Sequence, residues 1–206
     1  MQTNFHTIIN GTAGQEGLYQ CLRDDGGNWT GGAVGHGFLV GTMRGISAPT
    51  MVRWLGGNPA RVTRAVMQAI DVPTFAAIAR AYYWNAMDCA ALPAGVDQMV
   101  FDFGFNSGNG RSIWLLQQAI GLTGRQVDGD IGPVTLDALE KELTFPPHSS
   151  EANAARAIVR RLNTLQETAY RSFEGFDAFG AGWLRRLEWR TSAALALIDA
   201  VAPAAA

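Results

Sequence analysis

Two carboxylic acids stand close together in a glycine-rich stretch, residues 16–47. Glu16 precedes Asp25 by nine positions, so an extended return of the chain between them would bring the two carboxyl groups together. One acid that protonates a leaving oxygen and one carboxylate that handles water or a sugar cation are the minimum requirement for glycosidic hydrolysis. The spacing permits this chemistry, and it equally permits an exposed Glu16 beside an ordinary turn at residues 24–27.

Two further polar residues extend the pattern. Asp24 lies next to Asp25 and is the alternative second carboxylate. Thr42 carries a hydroxyl that can orient a water molecule beside a carboxylate, although a threonine in a strand is an equally ordinary interpretation. Nine of the 24 glycines fall in residues 16–47, and this density favours turns and short hairpins over a helix.

Composition excludes several classes of protein. A length of 206 residues with 48% hydrophobic residues supplies a buried core for one domain or two small ones. Sixteen basic against 18 acidic residues leave no basic field for nucleic acid. Three histidines without a close cysteine or carboxylate pattern predict no metal site and no cofactor.

The N-terminus and the cysteines bear on location. Residues 1–9 lack a positive charge and a long apolar run, and no later run of about 18 apolar residues is present. We therefore expect synthesis in the cytoplasm without a signal peptide, and no stable membrane insertion. Cys21 and Cys89 are more typical of buried free thiols than of a disulfide, but their pairing stays open.

Outside residues 20–45 the apolar spacing is helical. Start signals such as Ser47, Asn58 and the pair Val72-Pro73 precede apolar residues with the helical period. The predicted helices lie near residues 4–15, 51–55, 62–70, 74–92, 96–106, 113–120, 134–143, 151–171 and 183–201. The last third also carries arginines that are typical of a solvated helix face or of contact with an anionic polymer: Arg160, Arg161, Arg171, Arg185, Arg186 and Arg190.

Three separated motifs resemble the catalytic region of glycoside hydrolase family 108. They are Glu-Gly-Leu-Tyr at 16–19, Asp-Gly-Gly-Asn-Trp-Thr-Gly-Gly at 25–32 and Gly-Thr-Met-Arg-Gly-Ile-Ser at 41–47. The resemblance implies a peptidoglycan N-acetylmuramidase of the phage endolysin type. Glu16 matches the proposed catalytic acid and Tyr19 the tyrosine of the family motif, whereas Leu18 replaces the usual glycine and affects the loop shape.

The set of Glu16, Asp25 and Thr42 also resembles the glutamate, aspartate and threonine of phage lysozymes. The step from Glu16 to Asp25 agrees with that set, and the step from Asp25 to Thr42 is longer, as if a hairpin had grown. The resemblance implies that Glu16 is the general acid, and that Asp25 stabilises the cationic transition state or activates water held with Thr42. A separation of the carboxyl groups of about 6.5–9.5 Å predicts inversion and one of about 5–5.5 Å predicts retention. The sequence does not choose between them, and the analogy favours inversion.

Later motifs resemble the peptidoglycan-binding module that accompanies this family. They are Tyr-Trp at 83–84, Leu-Pro at 92–93, Phe-Asp-Phe at 101–103, Asn-Ser-Gly at 106–108, Leu-Gln-Gln-Ala at 116–119 and Asp-Gly-Asp-Ile-Gly-Pro-Val-Thr at 128–135. The resemblance implies a mainly α, lysozyme-like fold with a small β-hairpin region near residues 20–45. We predict a catalytic module at residues 1–93 and a helical binding module at 94–206.

Aromatic residues are candidates for stacking on sugar rings. Trp29 lies in the glycine-rich loop, whereas Tyr83, Trp84 and Trp114 lie in apolar helical patterns that are also typical of a core. Asn106, at a helix end, either binds an acetamido group or caps the turn. Tyr19 and Asp24 complete the predicted substrate-binding set.

The resemblance implies hydrolysis of the bond between N-acetylmuramic acid and N-acetylglucosamine. Two alternatives stay open: a non-catalytic peptidoglycan-binding protein that kept the scaffold, and a lytic transglycosylase that cleaves the same bond. The expected partner is bacterial peptidoglycan, and the chain is expected to be a monomer that acts on the wall in the periplasm or outside the cell. Phage-type enzymes rely on a holin for export, and a holin or another export route is therefore expected.

Overall fold

In a computed structural model, which describes residues 2–144 and 148–202, the chain is mainly helical. The α-helices are α1 (Gln2–Gln15), α2 (Ala48–Trp54), α3 (Arg64–Gln68), α4 (Val72–Ala79), α5 (Val96–Ser107), α6 (Asn109–Ala119), α7 (Pro133–Thr144), α8 (Glu151–Ser172) and α9 (Phe176–Val201). Short 3₁₀ turns lie at Gly26–Asn28, Pro59–Arg61, Cys89–Ala91 and Gly124–Gln126, and a π-helical turn lies at Arg80–Trp84. This confirms the predicted helical class.

Side-chain caps fix where several of these helices begin. Ser47, Thr63, Asp71 and Ser150 each accept a hydrogen bond from the backbone N–H three residues further on, at the starts of α2, α3, α4 and α8. Each cap satisfies an N–H that has no partner within the helix. The polar residue before each apolar run therefore sets the helix start.

The chain divides into two compact units. One unit comprises residues 9–80, and the other comprises residues 1–8 together with 81–206. The predicted boundary between a catalytic module, residues 1–93, and a binding module, residues 94–206, concerns function. It stays a prediction.

Within residues 9–80 the glycine-rich segment forms isolated bridges, and the described residues contain no sheet. The bridges are antiparallel and join Gln20 to Thr42, Trp29 to Leu39 and Met43 to Ile46. Glycines with positive φ angles interrupt the segment at positions 32, 35, 37, 41 and 45, so no ladder extends beyond one pair. The predicted small β-hairpin region near residues 20–45 is therefore not confirmed.

In the unit formed by residues 1–8 and 81–206, α5 is the central helix. It is buried from Val96 to Phe105 and packs against α6, α8 and α9. Asp102 on α5 is fully buried and accepts hydrogen bonds from Arg186 at 2.8 and 3.0 Å and from Arg190 at 2.7 Å. Burial acts to raise the pKa of Asp102, but the charges of Arg190 and Arg186 outweigh it and hold that pKa at about 2.

Arg190 corrects one expectation from the sequence. It was predicted with the solvated or polymer-binding arginines, but its side chain is fully buried. Besides Asp102 it donates to the side-chain oxygens of Gln166 and Tyr170. Leu187, Arg190, Ala194 and Ile198 are all buried, so Arg190 lies on the core face of α9. The charge of its guanidinium is balanced there by the buried carboxylate of Asp102.

The cysteines and the helices bear on two further expectations. Neither Cys21 nor Cys89 forms a disulfide within the described residues. Cys21 is half-buried, whereas Cys89 is buried, and burial raises the pKa of the Cys89 thiol well above its usual range. Among the helices of the described residues, none combines the length and the apolar character that crossing a lipid bilayer requires.

Candidate functional site

Glu16 is the first residue after α1. Its N–H donates to the carbonyl oxygen of Thr12 at 3.1 Å, which closes the last turn of the helix, and its side chain is half-buried. Thr12 itself is fully buried, so the backbone that carries Glu16 is anchored in the unit formed by residues 9–80. Glu16 therefore lies at the end of a fixed helix, with its side chain still partly open to solvent.

Asp25 caps the short 3₁₀ turn at Gly26–Asn28. Its Oδ1 accepts a hydrogen bond from the N–H of Gly27 at 2.8 Å, and the side chain is half-buried. The adjacent Asp24 is exposed. The backbone amide of Gly27 thus orients the carboxylate of Asp25.

Thr42 is tied to the same turn. Its hydroxyl donates to the carbonyl oxygen of Gly27 at 3.3 Å, and its backbone exchanges hydrogen bonds of 2.8 and 2.9 Å with Gln20. Gly27 therefore bonds Asp25 through its N–H and Thr42 through its carbonyl. Gln20 lies four residues after Glu16, so these contacts connect the segment that follows the glutamate to the turn that holds the aspartate.

Tyr19 supports this arrangement from the segment after Glu16. Its hydroxyl donates to the carbonyl oxygen of Val40 at 3.0 Å. Gly41 has a φ angle of +90°, and a Cβ there would lie 2.5 Å from the oxygen of Gln20 and 2.6 Å from the ring of Tyr19. Only glycine fits this position without displacing one of the two residues. Partial burial is the main cause that raises the pKa of Tyr19, and a hydrogen bond with Cys21 raises it further.

Trp29 and Asn28 lie at the end of the same turn. The indole N–H of Trp29 donates to the carbonyl oxygen of Arg23 at 2.9 Å, and its side chain is half-buried. Asn28, which the sequence did not single out, is fully buried, and its carbonyl accepts from the N–H groups of Val40 and Gly41. Its side-chain amide makes no hydrogen bond within the described residues. No sequence signal separates this asparagine from an ordinary turn residue.

The other predicted binding residues lie in the unit formed by residues 1–8 and 81–206. Trp84 is 4% exposed and packs with its ring near Phe5 and Phe101, which favours the core interpretation. Tyr83 is half-buried, with its ring centroid 4.8 Å from that of Phe105. Asn106 is exposed in the last turn of α5.

The structure thus brings together Asp25, Thr42 and the segment that carries Tyr19. A comparison with family models matches residues 9–108 to the family described as glycosyl hydrolase 108. Among solved structures, that of Brucella abortus SagA is similar to this chain, with 28% sequence identity and a TM-score of 0.74. The match covers 96% of this chain and 97% of that chain. A comparison with curated proteins found no match.

Proposed function

Residues 9–108 of this chain belong to the glycosyl hydrolase 108 family, and from this premise we propose that the protein is a peptidoglycan N-acetylmuramidase. The proposed reaction is hydrolysis of the β-1,4 bond between N-acetylmuramic acid and N-acetylglucosamine. The observation that carries it is the position of Gly27, which bonds both Asp25 and Thr42. All three of these residues lie within the segment that matches the family.

Glu16 is the proposed general acid. It protonates the glycosidic oxygen as the bond to the leaving sugar breaks, and the half-buried position limits competition from water for its proton. The hydrogen bond from its N–H to Thr12 fixes the backbone at this point. The Cα from which the carboxyl group extends is therefore held in place at the end of α1.

Asp25 is the proposed second carboxylate. Because Gly27 donates to Oδ1, the carboxylate is oriented before the substrate arrives, and its negative charge can stabilise an oxocarbenium-like transition state or activate a water molecule. Thr42, held against the carbonyl of the same glycine, is the proposed partner in positioning that water. We propose inversion, by the analogy with phage lysozymes alone.

The proposed substrate places the action of the protein at the cell wall, in the periplasm or outside the cell. This location requires a route out of the cytoplasm, and the proposed route is a holin or another export system. Tyr19 and Trp29, which lie in the same unit as Glu16 and Asp25, are the proposed substrate contacts, because each is at least partly accessible. Tyr83 and Asn106 lie in the other unit, and their contact with substrate stays a prediction.

The test is the clearing of purified peptidoglycan by the wild-type protein and by Glu16→Gln. General acids contribute about 10²–10⁴-fold to such reactions, so Glu16→Gln is expected to lose at least about 100-fold of the rate while keeping its helical circular dichroism. Equal clearing by both proteins would remove Glu16 from the mechanism. Absence of clearing by the wild type would support a non-catalytic binding protein.

Mass spectrometry of the products separates hydrolysis from the transglycosylase reaction. Hydrolysis adds one water and gives reducing N-acetylmuramic acid ends. Anhydro-muramic ends would show that the bond is cleaved without water and would refute the proposed reaction.

A further inference from the structure

Three exposed side chains follow Glu16 on one extended stretch of chain. Leu18 is 72% exposed and Leu22 is 52% exposed, and the side chain of Gln20 between them is exposed as well. A single leucine open to solvent is ordinary, but two that flank one polar side chain form a small mixed surface. This surface lies within the family match and contains no residue to which a role has been given.

The side chains of this stretch alternate between two faces, as they do in any extended chain. Tyr19 and Cys21 share one face, because their side chains are joined by a hydrogen bond and both are half-buried. Leu18, Gln20 and Leu22 therefore share the other face, where each leucine stands about 7 Å along the chain from the glutamine. A contact of Tyr19 with substrate would come from the opposite side of the stretch.

Gln20 faces the same way as Thr42. The two residues exchange both backbone hydrogen bonds, at 2.9 and 2.8 Å, in an antiparallel bridge. Residues paired in this way have Cα atoms about 5.5 Å apart and side chains on the same face. The hydroxyl of Thr42 donates to the carbonyl oxygen of Gly27, whose N–H binds Asp25. The face that carries Gln20 is therefore the face of the candidate site.

The stretch is held in this orientation from its other face. The hydroxyl of Tyr19 donates to the carbonyl oxygen of Val40 at 3.0 Å, and a Cβ on Gly41 would lie 2.6 Å from the ring of Tyr19. A fixed backbone thus presents the side chain of Gln20, and little ordering of the chain is needed when a ligand binds.

An amide between two apolar side chains matches one chemical group of the proposed substrate. The side chain of Gln20 offers N–H donors and a carbonyl acceptor, and an acetamido group offers the complementary acceptor and donor. The methyl group of the acetamide suits the apolar surface of a leucine. In N-acetylmuramic acid the acetamido group stands on the ring carbon next to the one at which the bond breaks, so it lies close to the groups that act on that bond.

We infer that Gln20 is a specificity-determining residue, which binds the acetamido group of the N-acetylmuramic acid at the bond that is cleaved. Leu18 and Leu22 supply the apolar surface for its methyl group. The inference rests on the proposed function. It deepens that function, because it assigns the preference for N-acetylated over deacetylated peptidoglycan to one side chain, separate from the residues proposed to act on the bond.

The test compares cleavage of intact peptidoglycan with cleavage of peptidoglycan treated with a deacetylase that acts on N-acetylmuramic acid. The wild type should cleave the acetylated polymer about tenfold faster, since the deacetylated one leaves the amide of Gln20 without its partner. Gln20→Met keeps the length of the side chain and the backbone bonds to Thr42 but removes the amide. It should lose about tenfold on the acetylated polymer and little on the deacetylated one. Gln68→Met, at an exposed glutamine of α3, is the matched control and should keep the wild-type preference.

The ratio of the two rates separates recognition from a structural role. A Gln20→Met variant with the wild-type rates on both polymers would overturn the inference, and so would an equal loss on both, which would show a general defect. A wild type that cleaves neither polymer would refute the proposed function and this inference with it.

Glycan strands freed of stem peptides by an amidase identify the amide that is bound. The loss in Gln20→Met should persist on these strands, because they keep their acetamido groups. A loss that disappears when the peptides are removed would assign the contact to a peptide amide and would overturn the inference.

Discussion

The segment at residues 16–47 and the core of the helical unit hold their polar side chains in opposite ways. In the segment, single hydrogen bonds to the backbone of Gly27 hold Asp25 and Thr42, which are both half-buried. In the helical unit, Asp102 is fully buried and shares two guanidinium groups from α9. The carboxylate of Asp25, which is proposed to act on substrate, accepts one hydrogen bond from Gly27, whereas the carboxylate of Asp102, which joins helices, accepts three from arginines.

The two regions also differ in how far solvent reaches their carboxylates. The side-chain network of Asp102 excludes solvent, so its charges serve packing and orientation of helices. The partners of Asp25 leave its carboxylate half-exposed. Substitutions should therefore affect stability most in the core of the helical unit and activity most in the segment at residues 16–47, and four predictions test this division.

The largest effect is expected for Arg190→Met. The change removes the donor that Arg190 supplies to Asp102, while those of Arg186 stay, and it removes the donors to the buried oxygens of Gln166 and Tyr170. Breaking a buried ion pair on one side typically costs about 3–5 kcal/mol in the free energy of unfolding, which urea denaturation measures. Arg185→Met, at an exposed position of the same helix, should change it by less than about 0.5 kcal/mol. Equal effects of the two would refute the role of the network.

The next effect is expected for Gly41→Ala. The substitution combines a φ angle of +90° with contacts of 2.5 and 2.6 Å to Gln20 and Tyr19, and it should destabilise the segment by about 2–4 kcal/mol. Clearing of peptidoglycan should fall at the same time. Gly35→Ala is the matched control, because Gly35 has a φ angle of +80° but no atom within 4 Å of the added Cβ. It should cost only about 1 kcal/mol, and a larger loss there would show that backbone strain alone explains Gly41.

The third effect is a dependence of stability on pH that comes from Asp97. Burial raises the pKa of this carboxyl to about 6, against hydrogen bonds from Asn4, Gln98 and Gly95 that favour the ionised form. A raised folded-state pKa means that the folded protein binds the proton more tightly than the unfolded chain. The contribution is therefore complete below about pH 4 and is lost as the pH rises through 6, by up to about 3 kcal/mol.

Urea denaturation at pH 4 to 8 checks the expected change, and Asp97→Asn should flatten it. An unchanged slope in Asp97→Asn would assign the pH dependence to another group. Asp102, with its pKa held at about 2, has the opposite sign, since its contribution is lost only as the pH falls below 4 towards 2.

The smallest effect is expected for Thr42→Val. The change keeps the shape of the side chain but removes its hydrogen bond to Gly27, which is worth about 1 kcal/mol, or roughly fivefold in the rate of peptidoglycan clearing. Thr164→Val removes a bond of the same length, 3.3 Å, from a hydroxyl to the carbonyl of Arg160 on α8. That control should leave the rate unchanged. A rate for Thr42→Val that equals the wild-type rate would exclude Thr42 from the site.

The sequence predicted the helices well where the apolar period was long. Residues 151–171 were predicted from spacing alone, and α8 runs from Glu151 to Ser172. The segment at residues 20–45 was not predicted as well, because glycine density indicates turns but does not say how many strand pairs form between them. Only single bridges form among its described residues, where the positive φ angles break each ladder.

The sequence did not predict contacts between residues that are far apart along the chain. Arg190 pairs with a carboxylate 88 positions away, and no local pattern separates it from the exposed Arg185. Trp84 and Trp114 both lie in apolar helical patterns, yet one is 4% exposed and the other 44%. Which aromatic residue stays exposed depends on the packing of neighbouring helices. The assignments of Glu16, Asp25 and Thr42 also stay predictions, which the kinetics must test.

The two cysteines should differ in their reactivity toward thiol reagents. Cys89 is buried with a raised thiol pKa, so it stays protonated and reacts slowly with alkylating reagents. Cys21 is half-buried and follows Gln20, which pairs with Thr42. A thiol-reactive fluorophore will therefore label the native chain at one position beside the candidate site, and its emission can report substrate binding in a protein that needs no engineered cysteine.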